Sequence, residues 1–150
     1  MKKFRFRLER LLALREQAER VEAAALGGAM RDEARERDGL AHAQAVESRA
    51  AEEAAATGAS GVQTVGERAH LDLAREMAAR AADAAAEEVA LAEARTQAAR
   101  AAFGVKRRER RTVERLKEQR QAAWNDELGR DERRDMDDVA LRSRTKEGGR

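Results

Sequence analysis

The chain has one sustained interruption, Thr57-Gly58-Ala59-Ser60-Gly61-Val62-Gln63-Thr64-Val65-Gly66-Glu67, in a sequence that is otherwise helix-forming and laced with charge. Proline is absent from all 150 residues, so no residue of the kind that breaks a helix outright occurs elsewhere. Gly58 stands where a helix would end in a left-handed residue, a conformation that glycine adopts without Cβ strain. Thr64 and Glu67 have the T-x-x-E spacing of a capping box. There the Thr64 hydroxyl accepts the Glu67 amide N–H and the Glu67 carboxylate accepts that of Thr64. The pattern predicts a helix over about 4–56, a bend over 57–64, a second helix over about 65–141 and a disordered tail over 143–150. So short a connection returns the second helix beside the first. The predicted fold is all-α: a long antiparallel two-helix coiled-coil hairpin with an overhanging C-terminal helix, one domain over 1–142.

Composition narrows the function classes. Charged residues make up 40% of the chain, and there are three Phe, one Trp and no Tyr. The apolar content is mostly alanine, so a thick globular core is out of reach and a long helix or coiled coil is the class that remains. Cysteine is absent, which removes disulfides and thiolate metal sites and allows a reducing compartment. Arg5, Arg7, Glu9 and Arg10 interrupt the start, and the uncharged run from Leu11 to Leu14 is too short for a signal peptide or a membrane span. Charge is unevenly spread: residues 1–20 hold seven basic and three acidic side chains, residues 21–99 eight and fifteen, and residues 100–150 sixteen and eleven. In a hairpin this predicts a charge-polarised rod with both basic stretches at one end.

Apolar residues of the first helix recur at Phe4, Leu8, Leu11, Leu14, Ala18, Val21 and Ala25, the three- and four-residue steps of a stripe facing a partner. Leu12 and Leu26 widen it. After Gly27-Gly28 it thins to Met30, Ala34, Leu40, Ala43 and Val46. The second helix carries Leu71, Ala74, Met77, Ala81, Ala85, Val89, Ala92, Ala99, Phe103, Val113, Leu116, Ala123 and Trp124. Its alanine-rich middle removes little apolar area from water and is expected to be weakly held and open to partners. Setting residue i opposite about 123 − i brings Leu8 and Leu11 near Val113 and Leu116, and Val21 near Phe103. The longer second helix, about 115 Å at 1.5 Å per residue, then overhangs beyond Trp124 with Leu128, Met136, Val139 and Leu141.

Catalysis needs reactive groups held in a concave pocket, and two solvated helices provide none. No glycine-rich phosphate loop is present, and His42 and His70 lack a metal-ligand spacing, so no catalytic, cofactor or metal site is expected. The run Lys106-Arg107-Arg108-Glu109-Arg110-Arg111, followed by Arg115, Lys117 and Arg120, invites a nucleic-acid reading. However, Glu109, Glu114 and Glu118 interleave it at the spacing of intrahelical ion pairs. It also has no interleaved aromatics for stacking. Trp124 either covers the seam against Phe4 or anchors a protein interface.

Two terminal blocks resemble the flagellar export protein FliJ family: Phe4-Arg5-Phe6-Arg7-Leu8-Glu9-Arg10-Leu11-Leu12-Ala13-Leu14-Arg15-Glu16, and Arg107-Arg108-Glu109-Arg110-Arg111-Thr112-Val113-Glu114-Arg115-Leu116-Lys117-Glu118 with Trp124 and Asp135-Met136-Asp137-Asp138-Val139-Ala140. The resemblance implies a non-enzymatic stalk and adaptor of the flagellar type III export apparatus, cytoplasmic and held peripherally at the membrane. Its implied partners are a hexameric export ATPase, a transmembrane export gate protein and export chaperones, with no nucleic acid, no membrane insertion and a monomeric state outside the complex. Phe4, Leu8, Leu11, Leu12, Arg15, Arg108, Arg111, Leu116 and Trp124 would meet the ATPase. Leu71, Leu73 and Met77, early in the second helix, would meet the gate. The alternatives from other classes are a self-associating structural coiled coil and a nucleic-acid-binding helical protein.

Overall fold

A computed structural model describes residues 3–61 and 64–147, with side chains described as far as Asp138. It contains two helices, α1 (Glu9–Ala59) and α2 (Val65–Glu147), and no strand among the described residues. The two run antiparallel and pack against each other, the predicted helical hairpin. Glu9, Arg15 and Glu19 of α1 meet Lys117, Glu109 and Arg110 of α2.

The helix ends differ from those expected. α1 starts at Glu9 and not at residue 4, and it runs through Gly58 to Ala59. The left-handed residue is instead Gly61, at φ 71°. At that φ a Cβ would clash with its own backbone. The Ser60 hydroxyl and amide N–H both donate to the Thr57 carbonyl, closing the last turn of α1. α2 opens with the capping box: the Thr64 N–H donates to the Glu67 carboxylate at 2.8 Å and the Glu67 N–H to the Thr64 hydroxyl at 3.2 Å. The Thr64 backbone N–H, and after it the Thr64 hydroxyl, hold the Glu67 carboxyl below its ordinary pKa. α2 continues past Leu141 to Glu147, so 143–147 are helical. Val62, Gln63 and residues 148–150 lie outside the described residues, as do the side chains of Val139 and Leu141.

The seam on α1 also differs from the apolar stripe. Its shielded positions run Leu12, Arg15, Glu19, Glu22, Leu26, Ala29, Glu33, Glu36, Leu40, Ala43, Glu47, Ala50, Ala54 and Thr57, in strict alternation of three and four. Leu14 and Val21 point out of it, 68% and 57% exposed. Over 51 residues a helix keeps one phase. Extending the Leu14–Val21 phase would bring Gly28, Asp32, Arg35, Gly39, Arg49 and Glu53 inward. The phase that fits the whole helix keeps Gly39 and Arg35 out and admits glutamates instead. Two of these glutamates are met by arginines, Glu19 by Arg110 of α2 and Glu33 by Arg37 of α1.

The α2 seam runs Ala78, Ala82, Ala85, Val89, Ala92, Thr96, Ala99, Phe103, Lys106, Arg110, Val113 and Lys117 with the same steps. Leu71, Leu116 and Trp124 are half-buried as expected, whereas Ala74, Met77, Ala81 and Ala123 are exposed. The alanine stretch is not the loosest part. Ala78, Ala82, Val89, Ala92 and Thr96 are among the most deeply buried residues, because methyl side chains let the helix backbones approach. Partners across the seam lie one to seven positions further along α2 than 123 − i: Arg15 meets Glu109, Glu9 meets Lys117, Phe4 meets Trp124 and Arg37 meets Glu93. The bend sits later in the chain than Gly58 implied, which moves the register in that direction.

The hairpin comprises two compact units: unit 1, Met1–Glu19 with Lys106–Arg150, and unit 2, Arg20–Val105. In unit 1, α2 carries on beyond Trp124. Of the residues whose burial is described there only Leu128 and Gly129 are partly shielded, and Met136 is exposed.

Candidate functional site

Unit 1 gathers every residue expected to meet an ATPase. Leu12 is buried in the seam and Leu11, Arg15 and Leu116 are partly shielded there. Phe4 and Trp124 pack with ring centroids 6.1 Å apart and planes tilted by 54°. The aromatic pair covers the end of the seam, since Trp124 occupies a seam position one heptad beyond Lys117. Leu8, Arg108 and Arg111 are exposed. Leu71, Leu73 and Met77, expected at a gate, all fall in unit 2. Leu71 is half-buried, while Leu73 and Met77 are 55% and 63% exposed.

The basic run makes two of the intrahelical pairs expected of it, Lys106 with Glu109 and Arg110 with Glu114, and adds pairs across the seam. Glu109 accepts from Arg15 across the seam and from Lys106 at 3.4 Å. Arg110 donates to Glu19 across the seam and to Glu114 at 2.6 Å. The hydrogen bond to Glu19, after it the nearby Glu114 charge, raises the Arg110 pKa against the cost of burial. Lys117 reaches Glu9 at 2.8 Å. Glu109 and Glu114 are thus engaged by Arg15, Lys106 and Arg110, while Glu118 is exposed. Arg107, Arg108, Arg111 and Arg115 are left on the outward face of α2, all exposed and with no carboxylate partner among the described residues. Unit 1 holds 21 basic and 14 acidic side chains, a net +7; unit 2 holds 10 and 15, a net −5.

Unit 2 has its own polar cluster, which apolar periodicity had no means of finding. Glu33, nearly buried in the seam, pairs with Arg37 at 2.7 Å, and Arg37 bridges to Glu93 of α2 at 2.8 Å. The Glu93 hydrogen bond, then the Glu33 charge, raises the Arg37 pKa. The signal available was the recurrence of Glu19, Glu22, Glu33, Glu36 and Glu47 at three-four steps. His42 and His70 are both exposed, and no cluster able to hold a metal occurs among the described residues. Among those residues no helix is long and apolar enough to cross a membrane.

The family model described as "Flagellar FliJ protein" matches residues 4–149. The chain belongs to the flagellar FliJ family. No curated protein and no solved structure matches it. Both terminal blocks that carry the family resemblance lie in unit 1, which also holds the free arginines and the Phe4–Trp124 pair.

Proposed function

We propose that this chain is a non-enzymatic, cytoplasmic stalk of the flagellar type III export apparatus. In this reading unit 1 enters the hexameric export ATPase ring and stimulates hydrolysis. Unit 2 contacts the export gate through Leu71, Leu73 and Met77, and the chain handles export chaperones. Family membership over nearly the whole length is the observation that carries the reading. The electrostatics support it: a net +7 unit with Arg107, Arg108, Arg111 and Arg115 unpaired is drawn to an acidic lumen, and such complementarity raises the rate of encounter and fixes orientation.

The test is ATP hydrolysis by the export ATPase with and without the chain, at low and at high salt. Wild-type protein should form a complex and raise turnover. The quadruple change Arg107→Glu, Arg108→Glu, Arg111→Glu and Arg115→Glu should abolish both while leaving helicity intact, because none of the four serves the seam. No complex and no stimulation by the wild type would sink the reading. The exposed Leu14 and Val21 favour a second reading, a self-associating coiled coil. Sedimentation over a concentration series separates the two, since that reading requires the mass to rise without any ATPase present.

A further inference from the structure

Beside the Phe4–Trp124 pair the surface of unit 1 is concave. A groove of about 600 Å³ is lined by Lys3, Phe4, Arg5, Arg120, Trp124 and Glu127. Its lining combines two aromatic rings with three cations and one carboxylate. The cations are not consumed internally: the ion pairs of unit 1 use Arg15, Lys106, Arg110, Lys117 and Arg134, and Lys3, Arg5 and Arg120 are all exposed. Part of the aromatic surface also remains uncovered, since both rings are only half-buried.

We infer that this groove binds a short acidic peptide segment anchored by a large apolar side chain. The two halves of the ligand follow from the two halves of the site. An apolar side chain laid against Trp124 and Phe4 removes aromatic surface from water. Carboxylates on either side of that anchor meet Lys3, Arg5 and Arg120, the arginines offering two donors to each. The geometry favours a peptide over a single-stranded nucleic acid. The rings are tilted against each other and spend part of their faces on mutual contact, so they offer no pair of open platforms for successive bases. Glu127 in the lining repels a phosphate backbone but can accept a peptide N–H. Phe4 and Trp124 are shared with the residues expected to meet the ATPase, whereas Lys3, Arg5 and Arg120 lie outside that set.

Trp124 is the single tryptophan of the chain, so its emission reports on the groove directly. The full-length protein is titrated with an end-capped peptide, Glu-Glu-Leu-Phe-Glu-Glu, without ATPase, so peptide capture and ring stimulation succeed or fail separately. A saturable change in Trp124 emission is expected. Affinity should fall about tenfold or more in the combined Lys3→Glu, Arg5→Glu and Arg120→Glu variant, whose helicity is checked by circular dichroism, and fall again with added salt. Replacing the peptide's Leu-Phe by Ser-Ser should weaken it comparably. An absent or non-saturating response overturns the inference, as does equal binding by the triple variant or by the Ser-Ser peptide. Tighter binding of oligothymidylate than of the peptide overturns it in favour of nucleic acid.

Discussion

Single side chains here are constrained mostly through their polar atoms. Thr96 is 1% exposed and its hydroxyl has no hydrogen-bond partner in the protein. Burying an unpaired hydroxyl costs stability that a methyl of similar shape does not. Thr96→Val should therefore stabilise the hairpin by about 1 kcal/mol, seen as a higher urea midpoint at unchanged slope. At the start of α2 the Glu67 carboxyl is held below its usual range by the Thr64 donors. Its stabilising contribution is complete above the ordinary carboxylate pKa and disappears as pH falls through the lowered folded value. Protection of the Thr64 and Glu67 amides, relative to their intrinsic exchange rates, should fall over that acid window, and in a Glu67→Gln variant it should show no such step. This cap was fully legible in the sequence because a capping box is local. The pairs Glu19 with Arg110 and Arg37 with Glu93 were not legible, because they join residues 91 and 56 positions apart and depend on a register that local spacing does not fix.

Helix positions and phases show how much a stripe can mislead. Leu11, Leu14, Ala18 and Val21 are the most regular apolar series in α1, yet Leu14 and Val21 are solvent-facing, since phase is set by all 51 residues together. On α2 the series from Ala85 to Phe103 was read correctly, because uniformly small residues leave little to choose between. Gly28 and Gly39 sit inside α1 with open space where a Cβ would be. Changing either to alanine should stabilise the helix by about 0.5–1 kcal/mol, readable as higher helicity on thermal melting. Gly61→Ala should act in the opposite direction, because the φ of 71° disfavours any side chain. Ala92, 2% exposed, has no room to grow: Ala92→Leu should cost about 1–3 kcal/mol by forcing the helices apart.

For the molecule as a whole, depth of burial varies along the hairpin. From Ala78 to Thr96 the α2 seam is deeply shielded, whereas no residue of α1 after Glu33, and none of α2 before Ala78, is fully buried among those described. Local opening should begin near the bend. Hydrogen exchange should find residues 44–59 and 66–76 less protected than 78–96, a gradient that uniform protection would contradict.

The stretch of α2 past Trp124 has its own fate. Lacking a neighbouring helix, it presents Arg130, Arg133 and Arg134 to any trypsin-like enzyme on a backbone that nothing clamps shut. Digestion would clip there first and leave the paired body standing as a long-lived fragment. How long the intact polypeptide survives is then set by whatever in the cell sits over its last two dozen residues.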